Sequence, residues 1–120
     1  MFDHIGLKVK DLDASVRFYT AALGPLGYEV TSQDESGAAF GAKGTYSLWL
    51  SADAKLAHSL VHIAFTAGSR AAVDAFYRQG LENGGRDNGS PGVRKDYGPN
   101  YYAAFLSDPD GNNVEAVYLK

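Results

Sequence analysis

The sequence predicts a mixed α+β fold of two similar modules, each a strand, a helix and then two or three short strands. Three observations carry that prediction: an internal repeat, strands that alternate at each module's start, and a helix with end signals after each strand. The chain aligns with itself at an offset of 58 residues: His4-Ile5-Gly6-Leu7 falls on His62-Ile63-Ala64-Phe65. The same offset puts Phe18-Tyr19 on Phe76-Tyr77, Leu23 on Leu81 and Gly27 on Gly85, with no gap needed. A repeat held in one register means that one supersecondary unit is used twice.

Each unit opens with the period-2 pattern of a half-buried strand. Ile5, Leu7 and Val9 face one way, with His4, Gly6 and Lys8 the other; Ile63 and Phe65 likewise oppose His62, Ala64 and Thr66. The first helix is capped by Asp11, carries Leu12, Val16, Tyr19 and Leu23 at helical spacing, and stops at Gly24-Pro25. The second starts near Ser69 with Val73, Phe76, Tyr77 and Leu81 apolar, and Asn83-Gly84-Gly85 ends it with residues that tolerate positive φ.

Short strands follow: about 28–31, 38–41 and 46–50 in the first half, then 101–106 and 113–118 in the second. Residues 87–102 read as a long loop rich in glycine, proline and tyrosine, and loops of that length in a compact domain are often functional. Asp108-Pro109-Asp110-Gly111-Asn112 is dense in turn formers, so it makes the last hairpin and brings Glu115 up early in the final strand. The expected organisation is one domain over 1–120, with module one about 1–55 and module two about 60–120.

Bulk properties narrow the function. At 120 residues with 45% hydrophobic and 21% charged positions, the chain has the composition of a globular protein with a sizeable core. A net charge of −3 without a basic block gives no footprint for nucleic acid or an anionic membrane, and no apolar run reaches bilayer length. A small-molecule partner is expected. The absence of cysteine excludes thiol catalysis and thiolate-bound metals. With no signal-peptide pattern at Met1-Phe2-Asp3-His4, the expected location is the cytoplasm.

His4 and His62 occupy the same place in the two copies, on the strand face away from the helices. Glu115 stands between apolar neighbours in the last strand. Two imidazoles and a carboxylate suit iron(II), manganese(II), nickel(II) or zinc(II) and leave positions open for a substrate. His58, in the polar linker, has no repeat partner and reads as a surface residue.

The chain resembles the vicinal oxygen chelate superfamily, which comprises glyoxalases, bleomycin-resistance proteins and extradiol dioxygenases, over essentially its whole length. The stretches that carry the resemblance are His4-Ile-Gly-Leu-Lys-Val-Lys-Asp-Leu-Asp-Ala-Ser with Phe18-Tyr19, His62-Ile-Ala-Phe, and Asp108-Pro-Asp-Gly-Asn-Asn-Val-Glu115. The resemblance implies paired βαβββ modules curling around a cleft, one divalent metal ion on His4, His62 and Glu115, and a homodimer. Sites in that superfamily are often built from both subunits, and a shared site here would take His4 from one subunit and His62 and Glu115 from the other, or else the site lies within one chain.

The position aligned with the superfamily's fourth ligand holds Trp49, which cannot ligate and is expected to wall the pocket. Glu115, Tyr97 and Tyr101 are then the candidate catalytic groups, and Trp49, Asn88, Arg94 and Tyr102 the candidate substrate contacts. The implied activity is a glyoxalase-like lyase or isomerase. The alternatives are an extradiol-type dioxygenase, a fosfomycin-type transferase, or a non-catalytic drug-binding module.

Overall fold

The computed structural model describes Met1–Lys120. The first module comprises β1 (Ile5–Val9), α1 (Leu12–Leu23), a 3-10 turn (Gly24–Leu26), β2 (Glu29–Gln33), β3 (Gly37–Gly41) and β4 (Leu48–Ala52). The second comprises β5 (His62–Thr66), α2 (Arg70–Glu82), β6 (Arg86–Val93), β7 (Tyr102–Ser107) and β8 (Asn113–Tyr118). Each module forms a four-stranded sheet, in the orders β1-β4-β3-β2 and β5-β8-β7-β6, so β1 and β5 are equivalent edge strands. In each, the first strand runs parallel to the last and the other neighbours are antiparallel. The two sheets are not joined.

The caps fall where the sequence puts them. Asp11 accepts a hydrogen bond from Ala14 N (3.1 Å), and Ser69 Oγ accepts one from Ala72 N (3.0 Å), each satisfying a free amide at a helix start. The first helix passes into the 3-10 turn and ends with Gly27 at φ 91°. The second ends at Asn83, followed by Gly84 at φ 102°.

The residues read as a loop over 87–102 are in part a strand. Arg86–Val93 pairs with β7, with register shifts at Gly89 and between Gly89 and Gly92. Turn-forming residues are tolerated here because β6 is a sheet edge, where Pro91 removes no ladder hydrogen bond and bulges are accommodated. The remaining irregular segment is 94–101.

One core spans both modules. Leu7, Val9, Phe18, Tyr19, Leu23, Phe40 and Leu50 of the first pack with Ile63, Val73, Phe76, Leu106 and Val114 of the second, and the two helices lie against each other. Leu81, expected on the buried face of α2, is 38% exposed. Gly80 takes the buried place instead: a Cβ there would run into Leu106 Cδ1 and lie 3.2 Å from Phe18 Cε1, so the helices close only over a bare backbone. No helix is long and apolar enough to cross a membrane.

A buried polar knot ties the modules together. Asp108 is fully buried and accepts from Tyr19 Oη (2.6 Å), Asn112 Nδ2 (2.9 Å), Asp110 N (2.9 Å) and Asn112 N (2.8 Å). A buried carboxylate is tolerable only with its lone pairs satisfied, and four donors do so. Asn112 Oδ1 in turn accepts from Val61 N (3.0 Å), which fixes the backbone next to His62.

Candidate functional site

The parallel register of β5 and β8 sets Ala64 opposite Glu115, and β7 sets Phe105 opposite the same residue. Side chains at paired positions share a face, so His62, Phe105, Asn113 and Glu115 all project from the sheet surface that the helices leave uncovered. There His62 Nε2 lies 3.1 Å from Glu115 Oε1. Glu115 is 2% exposed, whereas half of the His62 side chain is open to solvent.

Two further contacts orient the pair. His62 Nδ1 lies 3.0 Å from the carbonyl oxygen of Asn113. A carbonyl only accepts, so in the neutral ring Nδ1 carries the proton and Nε2 turns its lone pair toward the carboxylate. On the other side, Tyr101 donates to Glu115 Oε2 at 2.5 Å. Burial first, and then this bond to the carboxylate, push the Tyr101 phenol up to about 12, so it stays protonated as a donor.

An imidazole nitrogen and a carboxylate oxygen are both donors that a divalent metal accepts. Two ligand atoms bound about 2.1 Å from an ion at adjacent corners stand about 3 Å apart, and His62 Nε2 and Glu115 Oε1 already have that separation. A histidine whose far nitrogen is tied to a backbone carbonyl is also the usual orientation for ligation.

His4 is not brought to this pair within one chain: nowhere in the chain do three histidine, aspartate or glutamate side chains converge on a point that could hold an ion. His4 sits just ahead of β1 with its Nδ1 2.7 Å from Asp3 Oδ1, which leaves Nε2 free, whereas His62 Nε2 faces Glu115. Trp49 lies opposite Gly6 on β4, as Glu115 lies opposite Ala64 on β8, so it is the repeat equivalent of Glu115. It is 37% exposed and stacks on Tyr46 with ring centroids 6.0 Å apart.

Of the candidate substrate contacts, Asn88 and Arg94 line one polar cavity together with Tyr97, a candidate catalytic group, and with Gly89, Phe105 and Asn113. Tyr97 also packs edge-on against Tyr101, with centroids 5.2 Å apart. Tyr102 does not join them. Strand alternation turns it to the helix side, where its hydroxyl donates to Asp74 (2.6 Å) and its ring lies under Arg70. A separate apolar cleft of 260 Å³, at the seam of the modules, takes in His4 but neither His62 nor Glu115. It holds the exposed Asp3–His4 contact but not the buried carboxylate of Glu115.

Phe105, Asn112 and Asn113 were not evident as site residues in the sequence. Phe105 and Asn113 become visible only through the pairing of β7 with β8, and Asn112 only through its reach to Val61.

Residues 1–116 match the family model described as the Glyoxalase/Bleomycin resistance protein/Dioxygenase superfamily. The chain belongs to that superfamily. Among solved structures it is similar to a glyoxalase/bleomycin resistance protein from Albidiferax ferrireducens, at 30% identity and TM-score 0.83 over 97% of this chain and 96% of that one. A bleomycin resistance determinant encoded on the transposon Tn5 shares the superfamily fold at 22% identity and TM-score 0.65, over 96% of this chain and 94% of that one. A glyoxalase I variant from Zea mays does so at 22% identity and TM-score 0.73, with 95% of this chain covering 44% of that one. No curated protein matches the sequence.

Proposed function

We propose that this superfamily member is a metal-dependent enzyme acting on a small molecule with two neighbouring oxygens, a glyoxalase-like lyase or isomerase that works as a homodimer. The observation that carries the reading is the His62–Glu115 pair, set 3.1 Å apart with the far nitrogen of His62 tied to a carbonyl.

A zinc, nickel, manganese or iron ion held there would act as a Lewis acid toward the two substrate oxygens and stabilise an enolate or oxyanion. Glu115 is both ligand and base in this reading, taking a proton from the carbon beside the carbonyl. Tyr101, which keeps its proton, steadies the Glu115 carboxylate and supplies a hydrogen bond as charge develops. His4 of a second copy completes the ligand set, in keeping with its separation from the pair within one chain and with the open edges of β1 and β5.

The test is exchange of the acidic carbon-bound proton of small α-hydroxyketones and hemithioacetals in heavy water, followed by NMR. Exchange should vanish when the protein is stripped by a chelator and return with one of the four metals. One observation favours a second reading, a non-catalytic binding module: Trp49, stacked on Tyr46, stands where a fourth ligand would be. Metal-independent binding of flat aromatic ligands, with no exchange in the loaded protein, would decide for that module.

A further inference from the structure

The open polar cavity lined by Phe105 and Asn113 has a volume of about 360 Å³, and its only charged lining residue is Arg94. The guanidinium is held in place from β6, the strand that ends one residue before it. Nη1 donates to the Gly92 carbonyl (3.0 Å) and Nη2 to the Ser90 carbonyl (2.7 Å), while the group lies over the Phe105 ring, 5.3 Å from its centroid. The strand is bare where the group rests: a Cβ at Gly89 or Gly92 would stand 3.2 Å from a guanidinium nitrogen.

Those two bonds use two of the five N–H donors of an arginine. The chain's close contacts between basic side chains and carboxylates are Asp3–His4 and His62–Glu115, so Arg94 has no carboxylate partner. A part-buried cation, oriented, unpaired and with donors to spare at the wall of a polar cavity, is the arrangement that recognises a planar anion. The amides of Asn88 and Asn113, joined at 3.2 Å, line the same space.

Position then limits the ligand. Phe105, under the guanidinium, is directly opposite Glu115 in the ladder, and its ring also stacks on His62. The group rests over Gly89 and Gly92 of β6, and neighbouring strands are about 4.8 Å apart, so with β7 between β6 and β8 the cation stands roughly two strand spacings from Glu115.

We propose that Arg94 is the receptor of an anion subsite, and that the substrate carries a carboxylate two or three bonds from its pair of neighbouring oxygens. One guanidinium matches a single negative charge, which favours a carboxylate over a dianionic phosphate. The inference rests on the reading of His62 and Glu115 as metal ligands.

The test uses full-length protein loaded with cobalt(II) and three hydroxamates, each chelating through two neighbouring oxygens. These are acetohydroxamate, the monohydroxamate of succinate, and the carboxamide counterpart of the latter. Binding is followed by cobalt absorption and calorimetry. The carboxylate probe is expected to bind wild type at least about 10-fold tighter than its carboxamide. Arg94→Gln should remove that advantage and leave acetohydroxamate within about twofold of wild type, which also shows that the variant site is folded. Equal binding of carboxylate and carboxamide to wild type, or an advantage that survives in Arg94→Gln, overturns the anion subsite alone. Failure of acetohydroxamate to bind wild type overturns the metal-ligand reading, and the subsite with it.

Discussion

His62 Nε2 and Glu115 Oε1 stand 3.1 Å apart because β5 and β8 run parallel in a register that sets Ala64 opposite Glu115. The fixture behind them is the Asp108–Asn112 turn. Asn112 holds Val61, Asn113 donates its N–H to the Val61 carbonyl, and the Asn113 carbonyl receives His62 Nδ1. Tyr19 anchors the same turn from the first module, so the geometry of the pair depends on the packing of the whole chain.

Tyr101 donates its hydroxyl to Glu115, so Tyr101→Phe removes that bond and keeps the ring. Metal content should be unchanged, with proton exchange slowed about 10²- to 10⁴-fold. Unchanged exchange in this variant would remove Tyr101 from the chemistry and leave it a packing residue.

Asp110 carries a stability cost at neutral pH. Its Oδ1 accepts from Lys10 N (3.1 Å), but Oδ2 is buried without a partner, and the buried Ser15 hydroxyl faces it without closing a hydrogen bond. Burial, together with the charge of Asp108, raises the Asp110 carboxyl above its ordinary value of 3.8. The protonated form is therefore favoured by the fold. The stability tied to Asp110 is fully present below the unfolded value and is lost as pH rises through the folded one. Asp110→Asn should accordingly be more stable than wild type at pH 7, by up to about 1 kcal/mol after allowance for the group's partial exposure. The gain should disappear below about pH 4, and urea melts at the two pH values check it. A variant no more stable than wild type at pH 7 contradicts the assignment.

The separation of His4 from Glu115 leads to a mixing experiment. His4→Ala and Glu115→Ala dimers should each be inactive, yet their mixture should regain activity after subunit exchange. Each mixed dimer would have one intact site, giving about a quarter of wild-type capacity at random exchange. No recovery, in protein shown by mass spectrometry to have exchanged, would rule out a site shared between subunits.

The fold was legible in the sequence because its signals are local or periodic. Asp11 and Ser69 cap helices by reaching only three residues ahead, and the repeat puts His4 and His62 in register without any knowledge of pairing. Strand β6 was not legible, since Asn88-Gly89-Ser90-Pro91-Gly92 is turn chemistry that only an edge position converts to a strand. Gly80 gave no signal either, because its value lies in the close approach of Phe18 and Leu106, distant in sequence. At the site, residue type pointed to His62 and Glu115. Strand alternation within the expected strand 101–106 already puts Tyr102 on the face of Ala104 and the buried Leu106, opposite Tyr101, so its place on the helix side was legible. Phe105 and Asn113 enter through a ladder that no single strand reveals.

The most direct test of the central claim is the metal content of the purified protein, measured by elemental analysis beside His62→Ala and Glu115→Ala. The account predicts about one divalent ion per chain in wild type and a loss of at least about 100-fold in affinity in either variant. Wild-type protein that holds no metal as purified and takes up none of zinc, nickel, manganese or iron would contradict it.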